Sequence, residues 1–226
     1  MKITVVHSRK TGSTRAVAAL LADEIKKLMP ESEINEFCVS DAKPCVGCAN
    51  CKAKDEKLCP HYEEYGKIIE SIETSDVIVL GSPVYVLSIS GQMKCFLDHM
   101  AYRFMSHRPH PAMFSKIGIS VTTAAGIGAK SVAKALNKQL FWWGTAKQHS
   151  LAFTVAANDW SGVSEDKKHK INLETKRTAR KIVKTHGKVK PGLKTKFIFN
   201  IMKSMQKKND WLPIEKAYWQ QQGWIK

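Results

Sequence analysis

Asp76-Val77-Ile78-Val79-Leu80-Gly81 is a run of four aliphatic residues, three of them β-branched, closed by a glycine. A run that is apolar at every position, rather than at alternate ones, predicts a strand buried on both faces. The same theme repeats outward from it. Ile3–Val6 is a shorter apolar run that ends in the polar loop His7–Thr14. Between Ala16 and Met29 the apolar positions Val17, Leu21, Ile25 and Leu28 recur at helical spacing, and Pro30 closes that helix. Ile34–Val39 predicts a strand, and a helix ends near Glu73. Gly91–Met105 predicts a helix with Met93, Phe96, Leu97 and Met100 on one side. Ile117–Val121 is a fourth strand, Lys130–Trp142 a further helix, and a fifth strand runs from about Thr145 to Val155. Strands alternating with helices in this way imply an α/β fold, a doubly wound, five-stranded parallel sheet with helices on both faces. Ligands of such sheets sit at the carboxyl ends of the strands, where strand order reverses. Attention therefore falls on the loops His7–Thr14, Ser82–Gly91 and Thr122–Gly128.

Composition bounds the rest. The chain has 226 residues, 43% of them hydrophobic, with a net charge of +16. That excludes global disorder and predicts one domain, or one domain with an appendage. No run approaches the ~20 apolar residues of a spanning helix, and Met1–Val6 does not open a signal peptide, so a cytoplasmic protein is expected. The charge is uneven. Residues 1–159 carry 19 basic and 15 acidic side chains, and residues 160–226 carry 17 and 5. We expect a domain over 1–160, with a cysteine-rich insertion at 41–61, followed by a basic α-helical extension over 161–226. In that extension Leu193, Phe197, Ile198, Ile201, Met202 and Met205 form an amphipathic face. Its default role is to pack back on the domain. An anionic membrane surface or an acidic protein partner would also suit it. No nucleic-acid recognition motif accompanies the charge.

Ser8-Arg9-Lys10-Thr11-Gly12-Ser13-Thr14 joins a strand to a helix. Its hydroxyls, its glycine and the free amides of a helix N-terminus suit a phosphate, although an ordinary capped helix start has the same residues. It is neither a Walker A loop nor G-x-G-x-x-G, and Gly128-Ala129-Lys130-Ser131 lacks the spacing of a P-loop. Four of the six cysteines lie together as Cys45-x2-Cys48-x2-Cys51-x7-Cys59-Pro60. This is too compact for a zinc ribbon and has the character of iron–sulfur ligation. Reduced thiols, a redox-active pair or zinc ligands are the alternatives. Cys38 and Cys95 are expected in the core.

These residues carry a family resemblance. Thr11-Gly12-Ser13-Thr14 resembles the phosphate loop of flavodoxins. Gly81-Ser82-Pro83-Val84-Tyr85, continuing through Ser90-Gly91-Gln92-Met93-Lys94 to Phe96-Leu97-Asp98, resembles the corresponding block of the NAD(P)H-dependent FMN reductases. Thr122-Thr123-Ala124-Ala125-Gly126 stands where that family has its third flavin loop, often with glycines at the alanine positions. The resemblance covers roughly residues 1–155 and implies a flavodoxin-like fold that binds FMN. It places Ser8, Arg9, Lys10, Thr11, Gly12, Ser13 and Thr14 at the phosphate. Pro83, Val84 and Tyr85 then lie along the isoalloxazine, and Thr123, Ala124 and Gly126 near the ring or ribityl chain. The cysteine motif resembles that of the iron–sulfur flavoproteins, which implies a [4Fe-4S] cluster on Cys45, Cys48, Cys51 and Cys59, exchanging electrons with FMN. NAD(P)H or a ferredoxin is the implied redox partner, and a homo-oligomer the implied assembly. Two other readings are an NAD(P)H-dependent FMN or quinone reductase without a cluster, and a flavin-less scaffold of the same fold.

Overall fold

A computed structural model describes residues 1–226. Its strands are β1 (Lys2–His7), β2 (Glu33–Cys38), β3 (Val77–Tyr85), β4 (Ser88–Ile89), β5 (Ile117–Ala124) and β6 (Lys147–Thr154). Its helices are α1 (Ser13–Leu28), α2 (Asn50–Ala53), α3 (Tyr62–Thr74), α4 (Gly91–His99), α5 (Ala129–Trp142), α6 (Glu165–Thr185), α7 (Leu193–Lys207) and α8 (Pro213–Gln221). Five strands run parallel in the order β2-β1-β3-β5-β6. The chain leaves β1 in one direction for β2 and returns on its other side for β3, so the reversal of strand order lies between β1 and β3.

The sheet has six strands rather than the five predicted. β4 pairs antiparallel with the end of β3 through Val84 with Ile89 and Tyr85 with Ser88. A return of two residues is too short to carry a periodic signal.

The central strands bury both faces: Val77–Leu80 of β3 is apolar throughout and buried together with Gly81 and Ser82, and every residue of β5 is buried, its Ser120, Thr122 and Thr123 included. Residues alternate between two cores. Ile3, Val5, Val77, Val79, Ile117 and Ile119 meet Val17, Leu21 and Ile25 of α1 and Ile171, Ala179 and Ile182 of α6. Val6, Ile78 and Leu80 meet α3, α4 and α5 through Ile72, Phe96 and Leu136. The helix begun at Gly91 ends at His99 instead of Met105. Its hydrogen bonds tighten there, Met100 N–H donating to Leu97 O. A 3-10 turn over Ala101–Arg103 then turns Arg103 towards Glu73 and Glu56. No helix is long and apolar enough to cross a membrane.

The charge changes at residue 160, but the packing does not break there, because α6 shares a core with α1 and the sheet. α7 differs from expectation. It turns Thr195 and Gln206 inward and stacks Phe199 on Trp219. Leu193, Phe197, Ile201 and Met205 are left in solvent. α8 lies within the helical extension expected over 161–226, and it is firmly seated. Trp219 is fully buried and its indole N–H donates to His107 O, while Tyr218 OH donates to Pro109 O at 2.8 Å. Gln206 Nε2 donates to Ser106 O at 2.8 Å.

Candidate functional site

The carboxyl ends of β1, β3 and β5, with the segment after β6, enclose a cleft of about 540 Å³. Gly12, at φ 104° and ψ 171°, turns the chain into α1; a side chain there would be strained. α1 starts with no side-chain cap and no acidic residue in its first turn. Its first amides therefore point into the cleft region without a helical partner, at the positive end of the helix dipole. Ser8 and Ser13 are buried, and neither hydroxyl has a hydrogen-bond partner. Buried hydroxyls without partners cost free energy, so they mark a place prepared for an acceptor. Together, uncapped amides and free hydroxyls suit a phosphate group.

Thr14 is used differently: its Oγ1 lies 2.7 Å from Thr123 Oγ1 and ties the first loop to the end of β5. Gly81 permits that closeness, since a Cβ there would stand 3.2 Å from His7 Cβ. Arg9 Nη1 donates to Tyr85 OH at 3.1 Å across the mouth of the cleft. Tyr85 leads into a two-residue turn in which Val86 and Leu87 both take left-handed backbone, φ 49° and 59°. For a β-branched residue this conformation costs of order 1–3 kcal/mol, and such strain gathers at functional sites. Both side chains face solvent at the rim.

His7 is 3% exposed and also lines the cleft. Its Nε2 lies 2.8 Å from Glu36 Oε1, and its Nδ1 has no partner. Burial holds the imidazole below its ordinary pKa, against the pull of Glu36. Burial alone would raise Glu36. Arg15, with Nε at 2.8 Å and Nη2 at 3.2 Å, and His7 together hold its carboxyl below the usual range. His7, Glu36 and Arg15 thus fix the back of the first loop.

Ser8, Arg9, Thr11, Gly12, Ser13, Thr14, Pro83, Val84, Tyr85, Thr123 and Ala124 all line this one cleft. Lys10 does not line it: its largely exposed ammonium stands 3.5 Å from Asp41 Oδ2. Gly126 faces a neighbouring depression beside Lys130 and Lys167. Val155, Ala157, Asn158 and Asp159 complete the wall and were missed. The loop after the fifth parallel strand obeys the same positional rule as the others, and Asn158-Asp159-Trp160-Ser161-Gly162 has turn composition. Asp159 accepts from Ser161 Oγ at 2.6 Å and Gly162 N–H at 3.1 Å, which keeps its carboxyl below the usual range.

The cysteine insertion lies between β2 and α3. Cys45 and Cys48 are exposed, Cys51 and Cys59 half-buried. No three thiol, imidazole or carboxylate groups converge here into a metal-holding set. Burial, with neighbouring Cys59 and Cys45, pushes the Cys51 thiol up. His99 Nε2 donates to Lys43 O at 3.1 Å, leaving Nδ1 to accept from the Cys59 thiol at 3.5 Å. Tyr65 stacks on His99 at 4.2 Å and donates to the same carbonyl at 3.0 Å. Arg108, 6% exposed, donates to Cys51 O and pairs with Glu56 Oε2 at 3.0 Å. Of the two cysteines expected in the core, Cys38 is exposed and Cys95 half-buried.

The model of the NADPH-dependent FMN reductase family matches residues 1–159. Among curated proteins, an iron-sulfur flavoprotein of Archaeoglobus fulgidus is 36% identical over 115 residues, covering 50% of each chain. An iron-sulfur flavoprotein of Clostridioides difficile is 34% identical over 140 residues, covering 59% of each. The chain thus spans about half to three fifths of these relatives' length. Among solved structures, an FMN-dependent NADH-azoreductase of Bacillus anthracis in complex with FMN superposes with a TM-score of 0.60 at 14% identity, over 80% of this chain and 99% of that one. An NAD(P)H:quinone oxidoreductase from Methanothermobacter marburgensis gives a TM-score of 0.61 at 11% identity, over 80% and 96%. At such identities these two establish the shared fold.

Proposed function

Because this chain belongs to the NADPH-dependent FMN reductase family, we propose that it is an FMN-dependent oxidoreductase fed by NAD(P)H. We further propose that its four-cysteine insertion holds a [4Fe-4S] cluster as a second redox centre. The observation that carries the flavin reading is the pair of buried, partnerless hydroxyls of Ser8 and Ser13 beside the uncapped start of α1. Bound FMN would supply the hydride and electron chemistry, and the protein its position and surroundings.

The residues divide that work by place. Ser8, Ser13 and the first-turn amides would take the phosphate, with Arg9 adding positive charge at the mouth. Pro83, Val84 and Tyr85 form one wall, Thr123 and Ala124 a second, and Val155 and Ala157, with the polar Asn158 and Asp159, a third. The Thr14–Thr123 hydrogen bond keeps the phosphate end and the second wall in fixed relation.

The cluster reading is supported by the cysteine spacing and by relatives named iron-sulfur flavoproteins. The four thiols lie on one short insertion, Cys45 and Cys48 exposed and Cys51 and Cys59 half-buried, and ligation of a cluster would draw them into one set. The family match supports a second reading, an NAD(P)H-dependent FMN or quinone reductase without a cluster. Anaerobic purification followed by flavin, iron and acid-labile sulfide analysis separates the two. Stoichiometric FMN with about four irons per chain supports the cluster. FMN without iron, with rapid NAD(P)H oxidation by a quinone, supports the second reading. Protein that takes up no FMN defeats both.

A further inference from the structure

α7 carries two apolar faces, and only one is used. Phe199 packs on Phe114, Trp219 and Trp224, with ring centroids 5.1 Å away in each case. The other face repeats once per turn: Leu193, Phe197, Ile201 and Met205 are all exposed, Leu193 at 86%. Over these residues the stripe is about 18 Å long. Trp211, also 86% exposed, follows just beyond the helix. None of these residues lines the cleft.

The charges around the stripe have one sign. Lys188, Lys190, Lys194, Lys196, Lys203, Lys207 and Lys208 form no ion pair in the structure, and the single carboxylate between residues 188 and 212, Asp210, is taken by Lys216 at 2.8 Å. Lys194 lies over the Phe141 ring at 4.8 Å and holds the helix against α5. Lys196, Lys203 and Lys207 fall on one flank of the stripe by helical geometry.

We propose that α7 is a docking surface for an anionic lipid bilayer, with Leu193, Phe197, Ile201, Met205 and Trp211 entering the interface and the lysines meeting lipid headgroups. An apolar stripe flanked by lysines and ended by a tryptophan has the composition of an interfacial helix. A second copy of the chain is a poorer occupant, because pairing two such faces adds the unpaired Lys196, Lys203 and Lys207 of one copy to those of the other. An acidic protein would satisfy the lysines, yet would gain less from a protruding line of aliphatic and aromatic side chains than a deformable lipid phase does.

The test is flotation of the as-purified, full-length protein with vesicles of equimolar phosphatidylglycerol and phosphatidylcholine, against pure phosphatidylcholine. Partition into the anionic vesicles should be at least about tenfold stronger and should weaken with salt. It should fall by about tenfold in Phe197→Ser/Ile201→Ser and in Lys203→Glu/Lys207→Glu, with thermal melting confirming that both variants fold. Failure to float, or flotation indifferent to Phe197→Ser/Ile201→Ser, overturns the proposal. A dimer seen by sedimentation and dissociated by that variant would assign the face to a second copy instead. Loss of binding to an acidic carrier protein, with flotation unchanged, would assign it to a protein partner.

Discussion

Replacing Arg108 with alanine removes a buried side chain that, beside the direct packing of α8 on α2, joins the C-terminal segment to the cysteine insertion. Residues 106–109 form a strap whose carbonyls are held by the tail: Ser106 O by Gln206, His107 O by Trp219 and Pro109 O by Tyr218. From that strap Arg108 reaches Cys51 O and Glu56, on the two sides of the turn between Cys51 and Cys59. Removing one member of a fully buried ion pair costs roughly 3–5 kcal/mol. Glu56 is 22% exposed and keeps Arg103 Nη2 at 3.3 Å, so the cost falls to about 2 kcal/mol. For a chain of this size that lowers Tm by roughly 4–8 °C. Hydrogen exchange should show the loss concentrated in residues 45–59, with β1, β3 and β5 still protected. Trp219→Ala, which empties a fully buried site, should cost roughly 3–5 kcal/mol. The double variant should deviate from additivity by about 0.5 kcal/mol or more, since both act through one strap. A Tm shift under about 1 °C for Arg108→Ala, or protection of 45–59 equal to the parent protein, refutes the coupling.

Other expectations follow from single sites. Ser13→Ala removes a hydroxyl that has no partner in the free protein, so its Tm should hold or rise, while FMN affinity falls about tenfold or more through loss of a charge-assisted hydrogen bond; unchanged affinity in a fluorescence titration contradicts the phosphate assignment. Gly81→Ala pushes a methyl against His7 Cβ and should destabilise by about 1–3 kcal/mol in urea unfolding. Val86→Asn places a residue that tolerates left-handed backbone in the rim turn and should stabilise by about 1 kcal/mol; a lower Tm would contradict the strain. His7, His99, His110 and His149 are all held below their ordinary pKa, chiefly by burial. The unfolded chain therefore binds their protons first, and stability should decline as pH falls from 6.5 through the lower folded values. A Tm that is flat between pH 7 and about 5 contradicts it.

What the sequence discloses depends on how local each signal is. Val77–Gly81 is apolar at every position and Ile117–Val121 at all but Ser120, a pattern that suits a strand covered on both faces, and together they place the centre of the sheet. The loops that follow them then point to the cleft by position alone. The wall formed by Val155, Ala157, Asn158 and Asp159 obeys the same rule, but Asp159 is its one charged residue and it holds no hydroxyl. α7 shows the limit of periodicity: its Leu193–Met205 stripe and its Thr195–Phe199–Gln206 face are both helical repeats, and which one turns inward is decided by Trp219 and Trp224, some twenty residues later. The seat of α8 stays hidden because its aromatics answer to His107 and Pro109, more than a hundred residues away. The cysteines show their chemistry through spacing, whereas the exposure of each thiol is a property of the folded loop.

The flavin assignment is tested most directly by adding FMN to the purified protein and recording absorbance before and after NADPH under anaerobic conditions. Stoichiometric binding, a flavin spectrum perturbed by the cleft and bleaching of that spectrum by NADPH are expected, with binding weakened in Ser13→Ala. A protein that stays colourless after FMN is added would contradict that assignment.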